Sequence, residues 1–167
     1  MASMTGTEQA QRSDTELAQR VSQAIEKVFS LHIWTHALST MVTNGDVELS
    51  GYVRTQTLKE RIAMAVRSLQ GVQNVKNDLI VDTELERTVA QALAADPRTA
   101  AGFPGILVGS VFGVIFLKGQ VDSQDIKKAA ELVAKQVPNV RAAVNALDAP
   151  EPPKPAAPAK PAPAKPA

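Results

Sequence analysis

The chain has 167 residues, of which 44% are hydrophobic and only 4% aromatic, enough for one ordinary domain or two very small ones with aliphatic cores. Eighteen Lys and Arg against seventeen Asp and Glu leave a net charge of +1 with no basic stripe, which excludes the electrostatic footprint of a nucleic-acid binder. The absence of cysteine removes disulfides, thiolate metal sites, iron–sulfur clusters and Cys nucleophiles together.

Met1 to Arg12 is polar and lacks the apolar core of a signal peptide. Met1-Ala2-Ser3-Met4-Thr5-Gly6 resembles a vector-encoded leader, and residues 1–13 are expected to be disordered. As written the sequence reads as cytoplasmic, or as periplasmic or envelope-located if that leader replaces a native signal. Asp14 is the predicted N-cap of a first helix carrying Leu17, Val21, Ile25 and Val28 at helical spacing. His32 and His36 follow, four residues apart; two imidazoles without cysteine fall short of a zinc ligand set, so no metal site is expected. Trp34 lies between them and reads as a satellite core residue or an interfacial anchor.

Leu38, Thr40 and Val42 alternate as a strand. Asn44-Gly45 is a hairpin signal, because both positions tolerate positive φ. Val47, Leu49, Gly51 and Val53 form the returning strand. Thr57 with Glu60 makes a capping box for a second helix, whose apolar stripe is Leu58, Ile62, Ala65, Val66 and Leu69. Gly71 is a natural stop, and Val75, Asn77, Leu79 and Val81 alternate as a last strand.

The remainder repeats this order. Asp14-Thr15-Glu16-Leu17 recurs as Asp82-Thr83-Glu84-Leu85, an offset of 68. At the same offset Gly45 matches Gly113, Leu49, Gly51 and Val53 match Leu117, Gly119 and Val121, and Asn77 and Leu79 match Asn145 and Leu147. No insertion is needed, so the chain reads as two copies of one small unit, 14–81 and 82–148. Each is expected to be an αββαβ unit of the α+β class, with two helices on one face of a three-stranded sheet. In the second copy a helix breaks near Asp96-Pro97, a strand pair spans about 105–121, Ser123 caps a helix, and Val140 to Leu147 closes the unit.

Two features of the second copy stand apart. Gly105, Gly109 and Gly113 form a small-residue repeat inside an apolar run of 16 residues, Gly102–Leu117. The run is shorter than the ~20 residues of a spanning helix, and the offset places it on a hairpin. That hairpin, with Val111, Phe112, Val114 and Phe116, is apolar on both faces. A half-solvated sheet alternates, so a cover of the second face is expected from the first copy, another subunit or lipid. These four residues and Trp34 are the candidate lipid or partner interface. Gly45, Gly51, Gly71, Gly113 and Gly119 are the expected structural glycines. From Pro150 the composition shifts: eight of eleven prolines lie in 150–167, with three lysines and one glutamate, and 149–167 is expected to be a disordered Pro/Ala/Lys tail or spacer.

The stretch Val47-Glu48-Leu49-Ser50-Gly51-Tyr52-Val53, followed after a helix by Gly71-Val72-Gln73-Asn74-Val75-Lys76-Asn77-Asp78-Leu79, resembles the signature of the BON domain. The second copy keeps Ile115-Phe116-Leu117-Lys118-Gly119-Gln120-Val121 and Val140 to Leu147, with Asn139 in place of Gly71 and Ala143 in place of Val75. The resemblance covers about 135 residues, and the tandem arrangement is similar to that of the osmotically inducible periplasmic proteins. It implies a non-enzymatic module of the bacterial envelope with no catalytic residues and no cofactor. The implied partners are phospholipid or another envelope component, in a setting of stress protection. A self-associating scaffold built through the second hairpin, hence a homo-oligomer, and a potassium-like cation sensor are the alternatives. Nucleic acid and small-molecule substrates are not expected partners.

Overall fold

The computed structural model describes residues 3–28, 38–103 and 105–150. The first unit contains helix α1 (Ser3–Val28), strands β1 (Leu38–Thr43) and β2 (Asp46–Val53), helix α2 (Gln56–Arg67) and strand β3 (Asn74–Val81). The second contains α3 (Asp82–Ala95), a 3-10 turn at Ala100–Gly102, β4 (Ile106–Val111), β5 (Val114–Gln120), α4 (Gln124–Gln136) and β6 (Ala142–Asp148). Each unit is thus an α+β layer of helices on a three-stranded sheet. In both sheets the middle strand of the chain order is also the middle strand in space, antiparallel to the strand before it and parallel to the strand after it. The parallel pair forces a crossover, which α2 and α4 supply. Residues 105–121, the apolar run, form the β4–β5 hairpin rather than a continuous helix. Among the described residues no helix is long and apolar enough to cross a membrane.

Each core lies between a sheet and its helices. Leu17, Val21, Leu49, Ile62, Val66 and Leu79 are buried in the first, and Val89, Leu93, Ile115, Leu117, Ala130 and Leu147 in the second. Period-2 burial along the strands and the helical stripes of α1 to α4 meet in these clusters, as the spacing of apolar residues requires.

The repeat extends to polar devices. Asn44 and Phe112 both take φ of 51°, followed by Gly45 at 83° and Gly113 at 77°, the left-handed pair that a two-residue hairpin turn needs. The first turn is held by Asp14: Asn44 N–H donates to its Oδ2 at 2.7 Å and Gly45 N–H to its Oδ1 at 3.2 Å. The second is held by Asp82, which accepts from Phe112 N–H at 2.8 Å, Gly113 N–H at 3.0 Å and Ser110 Oγ at 2.7 Å. Asn77 and Asn145 each donate from Nδ2 to a helix carbonyl, of Lys59 and Lys127 respectively.

Three expectations are corrected here. Asp14 does not cap α1; the helix begins at Ser3, and the Asp14 carboxylate turns away from its own helix to the β1–β2 turn. By the same helix start, residues 3–13 are helical rather than a disordered leader. Glu8, Gln9, Ala10, Gln11 and Arg12 within them are good helix formers that can extend a helix already nucleated by its apolar stripe. The N-cap of α2 is Thr55 rather than Thr57: Thr55 is extended (φ −136°) and its side chain accepts from Leu58 N–H. Ser123 caps α4 as the sequence predicts, accepting from Ile126 N–H. Residues 151–167, and with them nearly all of the expected tail, lie outside the described residues.

The units are joined without a linker, since β3 ends at Val81 and α3 starts at Asp82. The end of β2 docks on the second unit's turn. Tyr52 Oη donates to Asn139 O at 2.9 Å. Its ring lies so close to Gly113 that a Cβ there would overlap it, and Arg141 sits 5.7 Å over the same ring. Arg54 Nη1 donates to Glu86 Oε1 at 3.0 Å and to Ser110 O at 2.5 Å, while Ser110 N–H donates to the same Glu86 oxygen. The first copy therefore covers the tip of the second hairpin but not its outer face.

Candidate binding surface

The face of each sheet opposite its helices is built from alternate residues, and the two faces differ in chemistry at matched positions. In the first sheet the register sets Met41 beside Glu48 and Glu48 beside Lys76, with Ser50 beside Asp78. Lys76 Nζ bonds Glu48 Oε1 at 2.7 Å and Asp78 Oδ2 at 2.8 Å. Hydrogen bonds from the ammonium to Asp78 and then Glu48 hold the Lys76 pKa above the ordinary lysine value. This is a solvated, charged face.

In the second sheet the residues 68 positions on are Phe116 for Glu48, Val144 for Lys76 and Ala146 for Asp78. Three rows cross the sheet: Val111, Val114 and Ala142; Gly109, Phe116 and Val144; Leu107, Lys118 and Ala146. Lys118 is the one charge in these rows. Leu107 is 66% exposed, Val144 45% and Val111 44%, and Phe116 and Val114 are half-buried. At about 4.8 Å between strands and 3.3 Å per residue, three strands of six or seven residues present a flat face of roughly 300 Å².

Of the residues singled out from sequence, Val111, Val114 and Phe116 share this face. Phe112 occupies the left-handed position of the turn and is half-buried at the joint end, set by the Asp82 carboxylate rather than by the sheet. Trp34, with His32 and His36, lies outside the described residues. Gly45, Gly51, Gly71, Gly113 and Gly119 all have positive φ. At Gly119, φ is 124° and a Cβ would overlap the Gly105 carbonyl oxygen, so the backbone just ahead of β4 approaches β5 there as no other residue would allow. Leu107 and Val144 complete the face and were not among the residues read as its candidates. Their signal was present, since each aligns at offset 68 with a polar first-copy residue, Ser39 or Lys76.

The remaining concave surface is modest. A groove of about 310 Å³ between the units is lined by Leu79, Ile80, Val81, Glu84, Leu85, Pro138 and Asn139, and one of about 380 Å³ lies along Gln120, Val121, Asp122 and Asp148. Among the described residues, no group of three or more His, Asp or Glu could hold a metal.

A family model of the BON domain matches residues 13–83 and 81–150. The chain is 31% identical over 113 residues to osmotically-inducible protein Y of Escherichia coli (strain K12), a match spanning 60% of this chain and 56% of that protein. Among solved structures, the C-terminal domain of CdsD, a structural protein of the Type III secretion system of Chlamydia trachomatis, superposes with a TM-score of 0.63 at 18% identity. That superposition covers 80% of this chain and 64% of the other. The chain thus spans a little over half the length of the curated relative and just under two thirds of that structure.

Proposed function

The chain belongs to the BON domain family, with two copies in tandem, and from that premise we propose that it is a non-enzymatic module that associates reversibly with phospholipid membranes of the cell envelope through the outer face of its second sheet. One observation carries the reading. At the three positions where the first sheet holds the Glu48, Lys76 and Asp78 ion-pair cluster, the second holds Phe116, Val144 and Ala146. Two units of one fold need the same inner faces to pack, but nothing in packing requires the outer face of one to be apolar. Contiguous exposed apolar surface marks an interaction site. The likeness to a protein named for osmotic induction supports a role in osmotic stress.

The magnitudes favour reversible contact. A face of roughly 300 Å² at ~25 cal/mol per Å² contributes about 7 kcal/mol at most, against association costs of several kcal/mol. Lys118, between Leu107 and Ala146 in the third row, adds about 1 kcal/mol at an anionic surface. The same area is well below the ~800 Å² per partner of a stable protein interface, so face-to-face pairing of two copies is the weaker reading.

Flotation with phosphatidylcholine vesicles, with and without phosphatidylglycerol, tests this. The wild-type chain is expected to float with anionic vesicles, less so at high salt. The variant Phe116→Glu/Val144→Lys/Ala146→Asp transplants the first unit's ion-paired cluster onto the second sheet and is expected to stay folded and lose flotation. Equal flotation of the variant, or none by the wild type at low salt, rejects the reading.

A further inference from the structure

The edges of the two sheets differ as their faces do. In β6 the carbonyl of Asp148 points inward to Val121 N–H on the β5 side, whereas the N–H of Leu147 bonds the side chain of Asn145. Because alternate residues of a strand direct their backbone groups to opposite neighbours, Ala143, Asn145 and Leu147 present theirs to the open edge. The matched residues of β3 are Val75, Asn77 and Leu79. There the edge is closed from within: Asn74 Oδ1 accepts from Val75 N–H at 3.0 Å, Asn77 Oδ1 from Leu79 N–H at 3.3 Å, and Lys59 Nζ donates to Leu79 O at 2.6 Å. In β6 only the Asn145 bond survives, at 3.3 Å. Ala142 stands where Asn74 would cap the next N–H, and Lys127, the counterpart of Lys59, makes no such bond to Leu147. The flanking Lys76 and Asp78 have become Val144 and Ala146. Charged side chains help keep an edge strand from pairing, and β6 lacks the charges of β3 at these two positions together with two of its three side-chain bonds to the edge backbone.

We propose that β6 pairs antiparallel with β6 of a second copy about a two-fold axis at Asn145, and that the joined sheets form the complete membrane-facing surface; this rests on the function proposed above. The parity fits. With the axis at Asn145, the residues whose backbone groups face the open edge meet one another, Asn145 opposite Asn145 and Ala143 opposite Leu147, as hydrogen-bonded pairs, with Val144 opposite Ala146 as the non-hydrogen-bonded pair between them; the Leu147 N–H exchanges its Asn145 side-chain acceptor for the partner's carbonyl. The charges fit as well. Asn145 Nδ2 contacts both Lys127 O at 2.7 Å and Glu131 Oε2 at 3.4 Å, so the axis passes level with the middle of that helical turn of α4. It therefore sets Lys127 of one copy toward Glu131 of the other, whose Oε1 is already paired with its own Lys135 at 2.6 Å, so the cross-seam pair would extend an existing surface ion pair. On the outer side, Val144 meets Ala146 across the seam, and the apolar face runs unbroken over six strands. Its extent doubles to roughly 600 Å², and lipid binding and pairing reinforce each other because both copies lie on one plane.

Sedimentation equilibrium of the full chain is the test, with amide exchange as a second readout. The expected result is a mass that rises from one copy to two with concentration, with slowed exchange at Ala143 and Asn145. Ala143→Pro removes an outward N–H without touching the β5 ladder or the outer face. Ala142→Asn restores the cap that Asn74 provides and serves if the proline variant fails to fold. Each is expected to weaken pairing about tenfold or more, on the scale of the two hydrogen bonds lost across the seam, and to weaken flotation with phosphatidylglycerol vesicles. Phe116→Glu, on the central strand, is expected to lose flotation while the dimer remains. A dimer that answers to the edge variants without any vesicle binding would support the pairing and defeat the membrane reading. A single-copy mass at every concentration, or a dimer unmoved by both edge variants, would overturn the pairing.

Discussion

Asp82→Ala is the substitution for which matched positions make the sharpest forecast. Asp82 is 1% exposed, and its carboxylate accepts Ser110 Oγ, Phe112 N–H and Gly113 N–H at 2.7, 2.8 and 3.0 Å. The hydroxyl can rotate to another acceptor; the two backbone donors are fixed by the turn. Hydrogen bonds to a charged group contribute about 1.5–3 kcal/mol each, so losing the acceptor of two backbone donors should destabilise the second unit by about 3–4 kcal/mol. Asp14 makes the same turn contact in the first unit, but it is half-buried, and the Asn44 N–H it accepts is exposed to water. Water can replace that bond, so Asp14→Ala should destabilise by about 1 kcal/mol. For a chain of this size the two correspond to Tm losses of about 10 °C and about 3 °C. Thermal and urea unfolding followed by circular dichroism measures both. Asp82→Asn, which keeps one acceptor but points an N–H at a donor, should fall between Asp82→Ala and the wild type. Equal losses for the Asp14 and Asp82 variants, or a loss under about 1 kcal/mol for Asp82→Ala, would refute the argument that burial sets the strength of this turn clamp.

Gly119→Ala should destabilise by about 3 kcal/mol or more, since it combines a left-handed φ with overlap of the Gly105 carbonyl; Gly109→Ala, with nothing within 4 Å, should be near neutral in the same urea titration. Tyr52→Ala combined with Arg54→Ala removes the polar contacts that lock the first unit to the second turn, and calorimetry should resolve one unfolding transition into two. Asp96, hydrogen-bonded by the Arg98 side chain and backbone, has its pKa lowered from 3.8 to about 2. Its contribution is therefore complete above pH 4 or so and is lost as pH falls toward 2. Carboxyl NMR should place its midpoint near 2, and Arg98→Ala should return it to the ordinary carboxylate range.

The repeat was legible because it needs no contacts to be seen. An ungapped offset of 68 residues carried the element order, the Asn44-Gly45 turn and the hairpin reading of residues 105–121 against a helical one. The lack of alternation through Val111, Val114 and Phe116 likewise pointed to an apolar outer face. The tertiary structure decided matters that local pattern leaves degenerate. Asp14 reads equally well as a helix cap and as the partner of a turn thirty residues away, and only the position of that turn chooses. Thr55 and Thr57 are both acceptable caps, and the extended backbone at Thr55 selects between them. Tyr52 and Arg54 look like ordinary strand-end residues until the second unit's turn is placed against them. The open edge of β6 depends on which neighbour each backbone group faces, a property of strand order rather than of composition. Periodicity tells a residue which side it is on; bonds spanning thirty to ninety residues tell it what it meets there, and those exist only once the chain has folded.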